Sequence, residues 1–94
     1  MDFISFDAEK DARFYFAAGV CAKQFRLPAD SVILKHAHDY DHMSILAEGR
    51  VAVTLPHEQQ IYDAPACIEI KAGAVHQIQA LTDAVWFCIH PDKE

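Results

Sequence analysis

Short segments rich in β-branched and aromatic residues recur along most of the chain, and turn residues separate them at intervals of about eight to twelve residues. This spacing is typical of an antiparallel sandwich or barrel, so the sequence predicts an all-β fold. The stretch 8–18 has an acidic start that could open one helical turn, but we predict a turn or loop there, leading into the first strand. The predicted strands are 13–16, 20–27, 32–38, 42–47, 50–55, 67–71, 76–81 and 84–90.

The chain of 94 residues has room for one domain, and we expect residues 1–94 to form it. At this size a fold buries roughly 60 to 65% of the surface that the unfolded chain exposes. Apolar residues make up 52% of the sequence, which is enough for a compact core. The formal net charge is −6 and Lys and Arg do not cluster, which argues against a nucleic acid as partner, because such binding depends on clustered cationic side chains.

Three features of the sequence favour a cytoplasmic protein that does not bind a membrane. The apolar run 15–22 is too short to cross a bilayer. The first residues include an early acidic side chain and lack the basic segment and apolar core of a secretory signal. Cys21, Cys67 and Cys88 are widely spaced and form no C-x-x-C pair, so we expect them to be small buried hydrophobic residues in a reducing compartment.

Three histidines lie close together in the sequence, at positions 36, 38 and 42. On a strand, His36 and His38 would point to the same side with Cβ atoms about 6.5 to 7 Å apart, close enough to share one metal ion. The polar turn 39–41 would then reverse the chain and bring His42 onto the neighbouring strand, beside the pair. A helix would place His36 about 160° from His38 around its axis, so only a strand gathers these side chains.

The spacing of these histidines resembles the first sequence motif of the cupin family. The motif begins with His36-x-His38, continues with a ligand-type residue at position 42, and ends at Gly49. It covers about residues 30–49 of this chain. In the family this segment supplies most of the ligands of a metal ion, and the resemblance implies the same role here.

A second motif of the cupin family is matched by Gly73-x-x-His76, within about residues 65–80. The chain departs from the usual pattern at four positions, most notably at His42, where most cupins carry a ligating glutamate. The other departures are Asp30 in place of glycine, Lys71 in place of proline and Ala80 in place of asparagine.

Taken together, the two motifs resemble the small single-domain cupins that bind metal with four histidines. This resemblance implies a double-stranded β-helix, which is a jelly-roll-like barrel. It also implies one divalent transition metal as cofactor, with four ligands: His36, His38, His42 and His76. The alternative is a cupin fold in which these histidines are present but hold no metal.

Four neutral imidazole ligands narrow the choice of metal to Mn, Fe, Ni, Co, Cu or Zn, because calcium and magnesium demand oxygen ligands. With no carboxylate among the ligands the site keeps a formal charge near +2, so it should favour an anionic or enolate-forming small molecule. Zinc held tetrahedrally by four histidines would be closed, whereas a six-coordinate metal would keep two positions open. Metal affinity should fall below about pH 6.5, because imidazole must be neutral to ligate.

Two functions remain open at this point. In the first, the protein is a metal-dependent enzyme that acts on a small molecule, with dioxygenase-like or related lyase or isomerase chemistry. In the second, it is a non-catalytic small-molecule-binding or sensing cupin whose metal site is structural or empty. Catalytic residues other than the metal ligands are not identified. The sequence offers no Ser-His-Asp, Cys-His or close carboxylate pair that would support hydrolysis through a protein nucleophile.

Alternation along the predicted strands places side chains around the metal. If His36 faces inward, Val32 shares that face. The apolar side chains of Met43, Ile45 and Ala47 would then lie on the opposite, outer face, and because small cupins commonly form dimers we expect a homodimer that covers them. Residues predicted to line the pocket, partly by this alternation and partly by position near the ligands, are Leu34, Tyr40, Ser44, Leu46, Ile78 and Ala80.

The remaining histidines and two further side chains are predicted to lie outside the metal site. His57 falls in a polar turn, and His90 is beside Pro91 near the end of the chain. Trp86 and Cys88 share one strand face and are predicted to be core residues.

Overall fold

The computed structural model describes residues 4–5, 12–36 and 42–92, with side chains described for 12–33 and 43–92. These residues form strands and turns, with no helix among them. Accordingly, no helix in the described part of the chain is long and apolar enough to cross a membrane. The strands are β1 (Ile4–Ser5), β2 (Ala12–Ala17), β3 (Val20–Leu27), β4 (Ser31–His36), β5 (His42–Glu48), β6 (Arg50–Leu55), β7 (Glu58–Asp63), β8 (Ala66–Ile70), β9 (His76–Ala80) and β10 (Ala84–Pro91).

The strands form two five-stranded sheets. The first sheet has the order β1-β4-β9-β6-β7, and the second has the order β2-β3-β10-β5-β8. All pairings are antiparallel except that of β1 with β4. From β4 onward the chain passes repeatedly from one sheet to the other, which is the connectivity of a double-stranded β-helix. The all-β prediction is therefore confirmed.

One hydrophobic core fills the space between the two sheets. Trp86 and Leu46 of the second sheet are fully buried, and Ile78 of the first sheet is 1% exposed. Alternate residues of β9 are buried, as expected for a strand with one face on a core. Burying a side chain of this size contributes about 1.5 to 3 kcal/mol relative to leaving it in water. The remaining members of the core are Phe25, Leu27, Ile33, Val51, Val53, Ile68, Ile70, Ala80 and Ala84.

The strand bounds agree with the sequence prediction in the interior of the fold and differ at its edges. The predicted strands 20–27 and 50–55 match β3 and β6. Strand β7 was not predicted, because 56–60 is polar and was interpreted as a turn. An edge strand with most of its residues exposed needs no apolar alternation, and its backbone pairs with β6 residue by residue. The predicted first strand, 13–16, corresponds to β2, whereas residues 8–11, where a turn or loop leading into it was expected, lie outside the described residues.

Strand β4 contains an irregularity that reverses the expected alternation. Ile33 pairs with Ile78 on the inner face, and Val32 pairs with Gln79 on the other face. The register then shifts before His36, which pairs with His76. An extra residue in one strand is a β-bulge, which breaks the alternation that a sequence argument assumes. The prediction that Val32 shares the inner face with His36 is therefore wrong, and Ile33 takes that place.

The turn between β5 and β6 depends on Gly49. Its φ of +89° lies in the left-handed region, which residues with a Cβ rarely adopt. A Cβ at this position would press on the carbonyl oxygen of Asp83 and lie 2.9 Å from the Cα of Ala84. The motif-one glycine is thus required both by its backbone conformation and by the close approach of the chain before β10.

Candidate functional site

His76 has the surroundings of a metal ligand. It begins β9 and is almost fully buried, with 1% of its surface exposed. Its Nδ1 lies 3.0 Å from the carbonyl oxygen of Ala74, and since a carbonyl can only accept, Nδ1–H donates this hydrogen bond. The lone pair is therefore on Nε2. Histidines that ligate metals usually donate their other ring N–H to such a partner, which fixes the ring orientation.

The backbone register brings His36 to the same row as His76. Their Cα atoms are partners across the antiparallel pair of β4 and β9. Positions directly opposite each other on antiparallel strands share a face and lie about 4.5 to 5.5 Å apart. The position of His36 is thus on the inner face, although by way of the bulge rather than by simple alternation.

The backbone position of His42 belongs to the other sheet, in register with an inner-face residue. It begins β5, where its partner is Ile70 of β8, which is 2% exposed and belongs to the core. The prediction that His42 lies on a strand neighbouring that of His36 is wrong, because β4 and β5 belong to different sheets. The two strands therefore do not form a hairpin with each other. The candidate ligand positions therefore come from both walls of the barrel.

The four-histidine cluster as a whole stays a prediction. His38 lies outside the described residues, as do the side chains of His36 and His42. Within the part of the chain whose side chains are described, His, Cys, Asp and Glu do not gather in threes around a possible metal position. What is described fits a divalent transition metal: a buried imidazole with its lone pair on Nε2, and two further histidine positions on inner faces.

The predicted lining residues divide into two groups. Tyr40 lies outside the described residues, and so does the side chain of Leu34, whose assignment rested on an alternation that the bulge interrupts. The inner-face orientation of the others is confirmed by their burial, since each is at most 1% exposed; they are Ser44, Leu46, Ile78 and Ala80. The lining of a ligand cavity by these residues stays a prediction.

Ser44 and Cys88 form a small polar contact on the inner face of the second sheet. The Ser44 Oγ and Cys88 Sγ atoms are 3.8 Å apart, and the two residues are partners between β5 and β10. Burial raises the pKa of the Cys88 thiol above its ordinary value, while the nearby Trp86 and Ser44 side chains and the charge of Lys23 oppose that rise. Cys88 is partly buried and packs against the core, and Trp86 on the same strand face is fully buried, as predicted.

Cys67 and His57 are both far more open than Cys88. All three cysteines are free, but Cys67 is exposed on β8, so the expectation that all three are buried is wrong for that residue. Its partner Ile45 lies on the outer face of the second sheet, where Ile45 itself is only partly shielded from solvent. His57 is exposed in the turn between β6 and β7, as predicted.

His90 lies on strand β10. Its place outside the metal site stays a prediction, but it has the strand parity of Trp86 and Cys88 and pairs with buried Cys21. Its Nδ1–H donates to the carbonyl oxygen of Pro91 at 2.8 Å. Because Ile89 pairs with Met43, the same register continued by one residue leads from His90 towards His42.

The connectivity of the two sheets defines a cupin architecture, and solved structures bear it out at the level of fold. A cupin-2 domain-containing protein from Shewanella frigidimarina superposes with a TM-score of 0.76 at 19% identity, covering 93% of this chain and 85% of that one. An RmlC-like cupin family protein with a double-stranded β-helix fold from Methanocaldococcus jannaschii gives 0.73 at 17% identity, covering 87% and 81%. A cupin superfamily protein from Desulfitobacterium hafniense gives 0.76 at 10% identity, covering 89% and 80%.

This chain therefore has the cupin fold, as the two motifs implied. No family model and no curated protein matches its sequence. The identities to the solved structures are low, so the likeness concerns the fold, and function has to be argued from the site.

Proposed function

We propose that this protein binds a divalent transition metal between its two sheets and acts there on a small anionic molecule. The ligands in this proposal are His36, His38, His42 and His76. The observation that carries it is the buried imidazole of His76, whose Nδ1–H is engaged by the Ala74 carbonyl so that Nε2 keeps its lone pair.

The residues of the chain would hold and shield the ligand. The Ala74 carbonyl fixes the ring of His76, and the fully buried Leu46 and Ile78 keep water from the interior behind it. When bound, the metal would supply Lewis-acid polarisation of an oxygen-bearing substrate, with dioxygenase-like, lyase or isomerase chemistry as the candidate reactions. Because neutral histidines leave the positive charge of the ion uncompensated, an anionic substrate is favoured.

A comparison of two histidine variants tests the metal site. We expect His76→Gln to lower the affinity for Co²⁺ and Zn²⁺ by at least about tenfold, since it removes a ligand that a backbone carbonyl orients. His57→Gln is the matched control, because His57 is exposed in the turn between β6 and β7. Calorimetric titration of the metal-free proteins measures both. Equal affinities of the two variants and the unchanged protein would refute the site.

The absorption spectrum of the Co²⁺-loaded protein separates the enzyme from a structural site. Six-coordinate cobalt gives weak bands and leaves positions for a substrate, whereas tetrahedral cobalt gives intense bands and indicates a closed site. Oxygen uptake with small diketones, thiols and catechols then tests the dioxygenase-like reaction. Tetrahedral coordination combined with no turnover would favour the non-catalytic alternative, a sensing or binding cupin with a structural metal.

We also propose that the protein is a homodimer joined through the outer face of the second sheet. Four apolar residues lie in one row across this face, on neighbouring strands: Tyr15, Ala22, Ile89 and Met43. Tyr15 and Met43 are 49% and 45% exposed, and a contiguous row of apolar side chains that is exposed in this way is unusual on a protein surface. An isologous contact between two copies would cover the whole row at once.

Multi-angle light scattering tests the dimer. Met43→Glu should give a monomer, because it puts a charge into the proposed interface next to Glu69, the partner of Met43 on β8. Ile61→Glu is the matched control, since Ile61 is 57% exposed but belongs to β7 of the other sheet. A monomeric unchanged protein would contradict the interface. The three free cysteines are compatible with the cytoplasmic location that we propose for this dimer.

A further inference from the structure

A groove of about 460 Å³ opens beside the β2–β3 hairpin, at the end of the second sheet where His90 lies. We call it the hairpin groove. Its lining includes two aromatic rings, one thiol, one imidazole and one charge of each sign: Phe14, Phe16, Cys21, His90, Lys23 and Asp92. Phe14 and Phe16 are 46% and 62% exposed, so the two rings offer an apolar surface to whatever occupies the groove.

Lys23 is placed unusually for a lysine. It shares the face of β3 that carries Cys21, Phe25 and Leu27, all of which are at most 5% exposed. A charged side chain on the core-facing side of a strand is costly unless its amino group meets water or an opposite charge. Its Nζ lies 5.9 Å from the centre of the Phe14 ring, so the ammonium is held against an aromatic face of the groove.

Lys23 has no acidic partner in the described part of the chain. The ion pairs found there join Arg50 to Asp63 and Lys71 to Glu69. The lysine therefore presents its charge to the groove, within a protein whose net charge is −6. Asp92 adds a negative charge at another part of the groove wall. Because Asp92 repels a carboxylate and Lys23 attracts it, a ligand carboxylate is expected to bind at Lys23.

We propose that the hairpin groove binds a small aromatic monocarboxylate. The arene packs against Phe14 and Phe16, and the carboxylate accepts a charge-assisted hydrogen bond from the Lys23 ammonium. The groove volume falls in the range of small-molecule sites, about 300 to 1,000 Å³. The groove adjoins His90, and the register of β10 leads from His90 to the position of His42. This proposal rests on the proposed function for one point: if the metal site is as proposed, the carboxylate bound in the groove is also the ligand class of that site.

The test begins with metal-free protein, so that binding in the groove is measured apart from the metal. Titration with 3-phenylpropionate, followed by amide chemical shifts, should give saturable shifts in β2, β3 and the end of β10. The uncharged isostere 3-phenylpropionamide should bind at least about tenfold more weakly, because it cannot form the charge-assisted contact. Propionate, which lacks the ring, should not saturate at the same concentrations.

Three variants locate the binding determinants. Lys23→Gln should raise the dissociation constant of 3-phenylpropionate about tenfold or more, and Phe16→Ala should raise it several-fold. The matched control is Arg26→Gln, which removes the same charge from the outer face of β3. This control should bind the acid as the unchanged protein does.

The outcomes distinguish the groove from the metal site. Equal binding of acid and amide, or equal losses in Lys23→Gln and Arg26→Gln, would overturn the role of Lys23 and with it this inference. If 3-phenylpropionate binds through Lys23 while His76→Gln leaves metal affinity unchanged, the groove stands and the metal proposal fails. If metal binds through His76 but the acid does not bind the metal-free protein, the metal proposal stands and the groove proposal fails.

Discussion

Replacement of Gly49 by alanine should destabilise the fold far more than the same replacement at Gly73. Both glycines have a positive φ, +89° and +77°, so each alanine incurs the cost of the left-handed conformation, about 1 to 2 kcal/mol. They differ in what surrounds the added methyl group. At Gly73 nothing lies within 4 Å, whereas at Gly49 the methyl group would meet the backbone of Asp83 and Ala84.

The backbone atoms around Gly49 cannot rotate away as a flexible side chain would. The chain before β10 would have to shift, which adds about 1 to 3 kcal/mol, the usual range for overpacking. Gly49→Ala should therefore cost roughly 2 to 5 kcal/mol in total, and Gly73→Ala only about 1 to 2 kcal/mol. Because a small domain has a free energy of unfolding of about 5 to 15 kcal/mol, the first loss is a large part of it.

Urea unfolding followed by fluorescence measures the difference. Trp86 is the single tryptophan and is fully buried, so its emission reports the loss of the core directly. We expect similar slopes with urea for both variants and a clearly lower midpoint for Gly49→Ala. Equal losses of stability in the two variants would refute the claim that the nearby 82–84 backbone excludes a Cβ at position 49.

Each of three further predictions compares two residues or two forms of the protein that should behave differently. Iodoacetamide should modify Cys67 quickly at pH 8, whereas Cys88 should react slowly and only speed up at higher pH, because burial raises the pKa of its thiol; equal rates would contradict this. Leu46→Ala should lower the free energy of unfolding by about 2 to 5 kcal/mol and Ile61→Ala by less than about 0.5 kcal/mol, since the first is fully buried and the second is 57% exposed. Excess Zn²⁺ at about 100 times its dissociation constant should stabilise the metal-free protein by about 2.7 kcal/mol in urea unfolding, and His76→Gln should lose about half of that gain or more at the same Zn²⁺ concentration.

The parts of the fold that follow from local sequence were the parts predicted correctly. Strands β3 and β6 were delimited correctly because their apolar residues and flanking turns are local signals. Strand β7 was missed because it lies at an edge, and its stability comes from pairing with β6, which no local pattern reveals.

The membership of the candidate site stays a prediction, and the way its positions are brought together does not follow from the sequence. The pairing of His36 with His76 requires the bulge in β4, and a bulge is a property of two strands in register. The crossing from β4 to β5 depends on which sheet each strand joins, so His42 was assigned to the wrong neighbour. The position of His90 beside Cys21 likewise follows only from the pairing of β10 with β3.

The order of strands also constrains how the protein can fold as it is synthesised. The central strand of each sheet is one of the last two in the chain: β9 joins β4 to β6, and β10 joins β3 to β5. Before residue 76 leaves the ribosome, only pairs at the margins, such as the β2–β3 and β6–β7 hairpins, can form. At about 5 to 20 residues per second, the nascent chain therefore keeps four strand edges exposed for seconds before insertion of β9 and β10 closes both walls. Chaperone dependence during translation is the expected consequence of this topology.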